Sequence, residues 1–535
     1  MKKSFRPLWA ALSLLGLCFP STEPLAAHPS QPDMSQYILT PKPAETPRIN
    51  GARIFGVRPG SEFLYTIAAT GRRPMTFAAE GLPKGLKLDA RTGRITGRVK
   101  SPGEYVVRLT ATNDLGSYDR TLRIVVGERI ALTPPMGWNS WNCWGQSVSQ
   151  ERVLSSARAM VEKGLVNHGW SYINIDDGWQ SRRGRNGAIQ PNDKFPDMKA
   201  LSEEIHGMGL KLGIYSSPWI GTYAGHIGSY ADNAEGTYDW IEAGKFDEHY
   251  CVNDPEGKIT AGTNYRHGSH SFVKADVAQW TEWGVDYLKY DWNPNNYYHV
   301  KEMYDALRET DRDVVFSISN AAPYADAPQW MEFTNCWRTT YDIRDTWDNM
   351  SHIGFSQDPW VAFNRPGSWA DPDMLVVGML GGAWGDLHYT KLTADEQYTH
   401  ISLWSLLAAP LLIGCDMARL DDFTISLLTN DEVIDVNQDP LGLQAYPLWR
   451  DNDKVIYVKH LEDGAMAVGL FNRGAQEATM GISLNQLGLR GEQTVRDLWR
   501  QQDLTRTTDR FETKVAPHGV VLVKFYPGNS RERQE

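Results

Sequence analysis

Beyond residue 50 the chain runs in short alternating segments. Phe63-Leu64-Tyr65-Thr66-Ile67, Tyr105-Val106-Val107-Arg108-Leu109-Thr110 and Leu122-Arg123-Ile124-Val125-Val126 exchange apolar and polar positions at period two, the period of half-buried strands. Pro83, Gly85, Gly93, Gly97, Pro102 and Gly103 punctuate them as turns. After Ile130 the rhythm changes. Apolar runs such as Tyr172-Ile173-Asn174-Ile175, Lys211-Leu212-Gly213-Ile214-Tyr215, Tyr287-Leu288-Lys289-Tyr290 and Val314-Val315-Phe316-Ser317 alternate with helical stretches. Val153, Ala157, Met160 and Val161 recur at helical spacing. Ser147 and Gln150 have capping-box spacing ahead of them, and Gly164 ends the helix. Strand and helix in alternation over some 300 residues predict a parallel sheet or a (β/α)8 barrel. From about Gln438 the texture is β again. Lys454–Val458, Ala465–Phe471 and Gly519–Val523 read as strands of an antiparallel C-terminal sandwich.

Length agrees with several domains: 535 residues exceed what one core fills. The organisation predicted is a signal peptide over 1–27, a linker over 28–50, a β-sandwich over 51–127, a (β/α)8 TIM barrel over 128–440, a β-sandwich over 441–527 and a tail over 528–535. Lys2, Lys3 and Arg6 precede an apolar run from Leu8 to Phe19, and Ala26-Ala27 offer a cleavage site before His28. This is the layout of an export signal, so the mature protein is expected in the periplasm or outside the cell. The run is too short to span a membrane. Leu17 before Cys18 argues against lipidation. Cys143, Cys251, Cys336 and Cys415 remain in the mature chain. Export permits disulfides, and the three possible pairings and free buried thiols all stay open.

A net charge of −11 with no basic stripe disfavours nucleic acid and polyanionic partners. A neutral small molecule or glycan fits better. Twenty Trp and 23 Tyr suit sugar faces, though they also fill barrels. The 13 His show no metal-ligand spacing. Carboxylates dominate the strand ends: Asp176-Asp177, Asp291 and Asp342. A carboxylate inside a barrel costs several kcal/mol unless it is paired or used. Glycoside hydrolysis uses two of them, one on each side of the scissile bond. Lys289 and Asp291 alternate on one strand, so both point into the barrel mouth. An ion-pair network without catalysis would show the same pattern.

The motifs PPMGWNSWN (134–142), YINIDDGW (172–179), LGIY (212–215), GVDYLKYDW (284–292), WRTTYDIRDTW (337–347), DPDML (371–375) and NQDPLG (437–442) follow in order. Together they resemble glycoside hydrolase family 27, the α-galactosidase or melibiase family, over about residues 128–527. GLPKGLKLDARTGRITG (81–97) resembles an immunoglobulin-like module, expected as a spacer or scaffold, with glycan binding as the alternative. The family resemblance implies a retaining exo-α-galactosidase with Asp291 as nucleophile and Asp342 as general acid/base. It implies that Asp176 and Asp177 hold the galactose 4- and 6-hydroxyls, that Lys289 and Arg338 donate to ring hydroxyls, and that Trp141 and Tyr215 line the pocket. It implies no metal or organic cofactor, and a galactose-terminated oligosaccharide or polysaccharide as partner. Asp371 and Asp373 are expected as turn and supporting residues.

The chain departs from the family in three places. Ser317-Ile318-Ser319-Asn320-Ala321-Ala322-Pro323 lacks the Cys and Trp common there, which leaves Asn320 as the candidate for the 2-hydroxyl. Asn293 stands where relatives often carry a cysteine, and Gly178 where some do, so that bridge is lost or rerouted. Residues 216–270 form a long loop expected to build subsites for the leaving group. These departures keep three variants open: α-N-acetylgalactosaminidase, β-L-arabinopyranosidase and an isomalto-type α-glucosidase. A non-catalytic glycan-binding barrel is a further alternative.

Overall fold

The computed structural model describes residues 33–237 and 265–527. It has an N-terminal pair of β-sheets, a central parallel barrel with helices around it and a C-terminal antiparallel sandwich.

In the N-terminal module, Ile54–Val57, Gly116–Val126, Gly103–Asn113 and Thr76–Glu80 form one sheet in that order. Glu62–Thr66, Arg94–Arg98 and Leu86–Asp89 form the other. Phe63, Ile95, Val107, Leu109, Leu122 and Ile124 fill the space between them. The glycines of the 81–97 motif have a steric reason. A Cβ at Gly97 would lie 2.0 Å from the Gly85 carbonyl oxygen, and one at Gly85 would lie 2.1 Å from that of Arg98.

The barrel strands are β1 (Met136–Asn139), β2 (Tyr172–Asn174), β3 (Lys211–Ser216), β4 (Tyr287–Asp291), β5 (Val315–Ser319), β6 (Cys336–Arg338), β7 (Trp369–Asp371) and β8 (Leu411–Ile413). All neighbours run parallel, from β7 back through β1 to β8. The gap between β7 and β8 is bridged where Leu375 pairs in parallel with Ile413. Asn296 caps the helix Tyr297–Arg308, and a capping box of Thr393 and Glu396 starts Ala394–Leu406. The capping box expected at Ser147 and Gln150 does not form. Ser149 is the N-cap of Gln150–Glu162 and accepts from the Arg152 N–H, while the Ser147 hydroxyl donates to the Trp144 carbonyl. A short 3-10 turn over Gly145–Ser147 delays the helix start. Gly164, at φ +80°, follows the helix as expected.

The C-terminal sandwich sets Tyr446–Asp451, Lys454–His460, Met466–Asn472, Val520–Pro527, Gln493–Asp497 and Gln502–Thr507 against the pair Ala478–Ser483 and Arg510–Val515. Lys459 is buried beneath it and donates to the Val436 and Ser405 carbonyls of the barrel helices.

The N-terminal module docks on residues that precede the barrel strands. Arg58 pairs with Asp313 at 2.6 Å, Arg312 with Glu62 at 2.6 Å, and Thr66 Oγ1 donates to the Gly209 carbonyl at 2.9 Å. Those positions lie at the N-terminal ends of the strands, opposite the carboxylates at the C-terminal ends. Within the stretch read as a linker, Leu39 N–H donates to Tyr398 Oη, which donates to the Tyr37 carbonyl. Cys143, Cys336 and Cys415 are free and buried, and Cys251 lies outside the described residues.

Candidate active site

The barrel mouth collects the sequence-predicted residues from six strand ends. Asp176 is the anchor on one side. Its Oδ2 accepts from Lys289 Nζ and from Asn139 Nδ2, both at 2.8 Å, and its Oδ1 accepts from the Asp177 N–H at 2.9 Å. Lys289 Nζ also stands 3.9 Å from Asp291 Oδ2 and 5.4 Å from the centre of the Tyr215 ring. The alternation along β4 therefore brings Lys289 and Asp291 to one face. Trp141, half-buried, follows β1 and packs on the barrel-interior cluster of Tyr287, Cys336, Trp369 and Met374. Its N–H is held by Asn139 Oδ1 at 2.9 Å.

Asn320 is the hub on the opposite side. Its Nδ2 donates to Asp291 Oδ1 at 3.3 Å, and its Oδ1 accepts from Arg338 Nη2 at 3.3 Å. Its carbonyl accepts from Asn293 Nδ2 at 2.9 Å, and its side chain shares a hydrogen bond with Tyr223. Arg338 Nη2 also reaches Asp342 Oδ1 at 3.1 Å and Asp373 Oδ2 at 2.9 Å. One arginine thus links the two carboxyls, directly to Asp342 and through Asn320 to Asp291. The side chain of Asp342 is half exposed, whereas Asp291 is buried.

Six carboxyl groups here, Asp176, Asp177, Asp291, Asp342, Asp371 and Asp373, share the cations Lys289 and Arg338. Burial, only partly offset by these two cations, raises several of them. Burial pushes Asp291 up to about 7, with Lys289 opposing and Asp342 adding to the rise. Burial likewise pushes Asp177 up to about 7 against hydrogen bonds from Thr222 and the Ala224 N–H. Asp371 is pushed up to about 6 by burial, with Arg338 opposing. At Asp342 burial raises the value, but Arg338 and Lys289 together hold it below the usual carboxylate range. Asp177 Oδ1 and Tyr215 Oη have no hydrogen-bond partner among the described residues. Buried polar atoms are rarely left so, and hydroxyls of a bound polyol satisfy both kinds.

Sequence reasoning missed one contributor and left two others, the loop after β3 and Asp373, without their contacts. Asn139 lies inside the PPMGWNSWN motif and braces Asp176 and Trp141 together. The turn Thr222-Tyr223-Ala224 comes from the long loop after β3. It touches Asp177 through the Ala224 N–H at 2.9 Å and Asn320 through Tyr223. Tyr223 packs with Trp219 and Tyr265 at ring separations of 5.2 and 5.3 Å. The loop residues Trp240, Tyr250 and Cys251 lie outside the described residues. The third contributor is the strength of the Asp373 support. This residue holds φ +83°, uncommon for a non-glycine. Its conformation is fixed by bonds to Ile343 N–H, Met374 N–H, Trp404 Nε1 and the Arg338 guanidinium. Removing the carboxylate in Asp373→Ala takes away the closest anion of a buried arginine. We expect a loss of about 3 kcal/mol, measured by denaturant unfolding. Asp373→Asn tolerates the same backbone geometry and is expected to lose less.

Among the described residues no cluster of His, Cys, Asp and Glu has the arrangement of a metal site.

The chain is similar to known proteins over all three of its parts. The profile of α-galactosidase A matches residues 133–265 and 252–439, that of the α-galactosidase C-terminal β-sandwich matches 451–525, and an Ig-domain profile matches 46–127. The α-galactosidase of Coffea arabica is 35% identical over 421 residues, 77% of this chain and 98% of that protein. A Bacteroides fragilis structure with a proposed α-galactosidase/melibiase assignment superposes with TM-score 0.78 at 34% identity, covering 90% of this chain and 98% of that one. A β-L-arabinopyranosidase of Geobacillus stearothermophilus superposes with TM-score 0.64 at 28% identity, covering 75% and 98%.

Proposed function

Because this chain belongs to the α-galactosidase family of glycoside hydrolases, family 27, its chemistry is glycosidic cleavage, and we propose that its substrate is a terminal α-linked galactose cleaved with retention of configuration. The observation that carries this reading is the Asp176–Asp177 pair. Two adjacent acceptors, linked to Asp291 through Lys289, suit a sugar with an axial 4-hydroxyl beside a 6-hydroxymethyl group. Lys289 and Arg338 are the donors to the ring hydroxyls, Asn320 faces the 2-hydroxyl, and Trp141 and Tyr215 pack on the ring.

Asp291 attacks the anomeric carbon from the face opposite the leaving group. The C–O bond to the leaving group breaks as Asp342 gives that oxygen its proton, and a galactosyl ester forms on Asp291. Asp342, now a carboxylate, takes a proton from water. The water oxygen attacks the anomeric carbon, the ester bond breaks, and Asp291 leaves as a carboxylate. Lys289 and Asn320 both contact the Asp291 carboxylate and stabilise its charge as it returns.

Initial rates on 4-nitrophenyl α-galactoside, α-N-acetylgalactosaminide, β-L-arabinopyranoside and α-glucoside test the reading. The α-galactoside is expected to turn over fastest, and a clear preference for another member refutes galactose as the sugar. The basic and apolar N-terminus supports export to the periplasm or cell exterior. N-terminal sequencing of the secreted enzyme is expected to begin at His28.

A further inference from the structure

Arg344 follows Asp342 by two residues, on the stretch between β6 and the helix Trp347–Phe355. Its guanidinium carbon sits over the Trp384 ring, 4.1 Å from the centre. Its N–H is tied to Asn349 Oδ1 at 2.5 Å. The side chain is exposed. Among the described residues its guanidinium donates no hydrogen bond and forms no ion pair.

Two observations place this stacked pair at the mouth. Arg344 is one of the charges that favour the ionised form of Asp342. Trp384 is carried by a loop that rests on the turn after β1. Gly382 approaches the Cys143 carbonyl so closely that a Cβ would lie 2.0 Å from it, and a Cβ on Gly145 would lie 2.9 Å from Ala383. That turn also carries Trp141. Arg344 thus lies two residues from Asp342, and its stacking partner Trp384 lies within two residues of the backbone that packs on the turn carrying Trp141.

Resting on the reading of Asp342 as the group that protonates the leaving oxygen, we infer that Arg344, held on Trp384, forms a leaving-group subsite for a neutral sugar. The leaving group must lie beside Asp342. A guanidinium fixed on an aromatic face holds its N–H fork in one orientation, and that fork matches vicinal hydroxyls. An anionic leaving group is disfavoured by the carboxylates of the pocket. Asp345, the next residue, is itself engaged with His388 at 3.0 Å and Lys391 at 3.8 Å. The subsite thus favours an oligosaccharide over a leaving group without hydroxyls.

The test compares wild type, Arg344→Met and Arg344→Lys on melibiose and on 4-nitrophenyl α-galactoside. Arg344→Met keeps much of the apolar stem over Trp384 and removes the donors. Its kcat/KM on melibiose is expected to fall about tenfold further than on the aryl galactoside, mainly through KM. Arg344→Lys is expected to restore only part of the difference, because an ammonium lacks the planar fork. Equal losses on the two substrates would mean that Arg344 makes no contact with the leaving sugar, and a melibiose-specific loss carried by kcat rather than KM would mean that it acts only through the charge of Asp342; either result overturns the subsite. No loss on either substrate overturns it as well. Failure of the galactose reading shows separately, as a wild-type enzyme silent on the aryl α-galactoside. The comparison then runs on whichever aryl glycoside and matching disaccharide the wild type cleaves.

Discussion

Asp291→Asn is expected to lower turnover of every α-galactoside by about 10⁴-fold or more, while the protein stays folded. The amide is nearly isosteric but is not a nucleophile, so the glycosyl ester has nothing to form on. The surroundings of Asp291 agree with that role. Lys289 Nζ stands 3.9 Å from one carboxylate oxygen, and Asn320 Nδ2 donates to the other at 3.3 Å. Asp342 and Asp176 both raise the Asp291 value by repelling its ionised form, and a neutral amide escapes that repulsion. A loss of activity without a loss of stability is therefore the signature. A 5-fluoro galactosyl fluoride, which loses its anomeric fluoride to form the ester but releases the sugar slowly, should add one 5-fluorogalactosyl mass to the wild-type peptide containing Asp291. Labelling of a different carboxylate would move the nucleophile elsewhere.

Asp342→Asn is expected to sort substrates by their leaving group. Disaccharides, whose alkoxide leaves poorly, should lose about 10²–10⁴-fold in kcat/KM. An aryl galactoside with an acidic phenol needs little protonation and should lose much less in the first step. Its ester then hydrolyses slowly, so a burst of phenol should precede a slow steady state. A uniform loss across leaving groups would assign Asp342 a purely electrostatic part.

The pH profile carries the same test. The working pair holds one proton. Burial, reinforced by Asp342 and opposed by Lys289, raises Asp291 to about 7, while Arg338 and Lys289 overcome burial to hold Asp342 below the carboxylate range. Wild-type kcat/KM should rise as pH climbs past the lower value and fall above about 7, where the shared proton is lost. In the empty site that proton rests on Asp291, whereas turnover uses it on Asp342. Both arrangements contain the same number of protons, so the two pH limits are unchanged. In Asp342→Asn the basic limb should disappear. The remaining acid limb should lie below 7, because the repulsion that helped raise Asp291 is gone. A basic limb that persists near 7 in that variant would assign it to another group, with Asp177 the first candidate at about 7.

The local code of the chain was enough for the architecture. Period-two runs marked both β-regions, strand–helix alternation marked the barrel, and polar residues at strand ends marked its mouth. Both periods follow from backbone geometry, so they can be read without knowing what packs against what. Lys289 and Asp291 on one face followed from the same rule. The start of the helix Gln150–Glu162 was misplaced because Ser147 and Ser149 both carry hydroxyls. Only the 3-10 turn before the helix decided which of them met the free N–H groups.

Other features depended on contacts between residues far apart in sequence. Among the described residues the parallel sheet closes through the pairing of Leu375 with Ile413. Asn320 became a hub because β4, β5, β6 and the loop after β3 converge on it, bringing Asp291, Arg338, Asn293 and Tyr223 together. Asp373 holds Arg338 from 35 residues away along the chain. Arg344 gained its stacking partner from Trp384, on a loop that the sequence did not distinguish from any other. Hydrophobic period is a property of one segment, and the sequence determined it. Electrostatic pairing and side-chain orientation belong to the space between segments, and only the tertiary structure decided them.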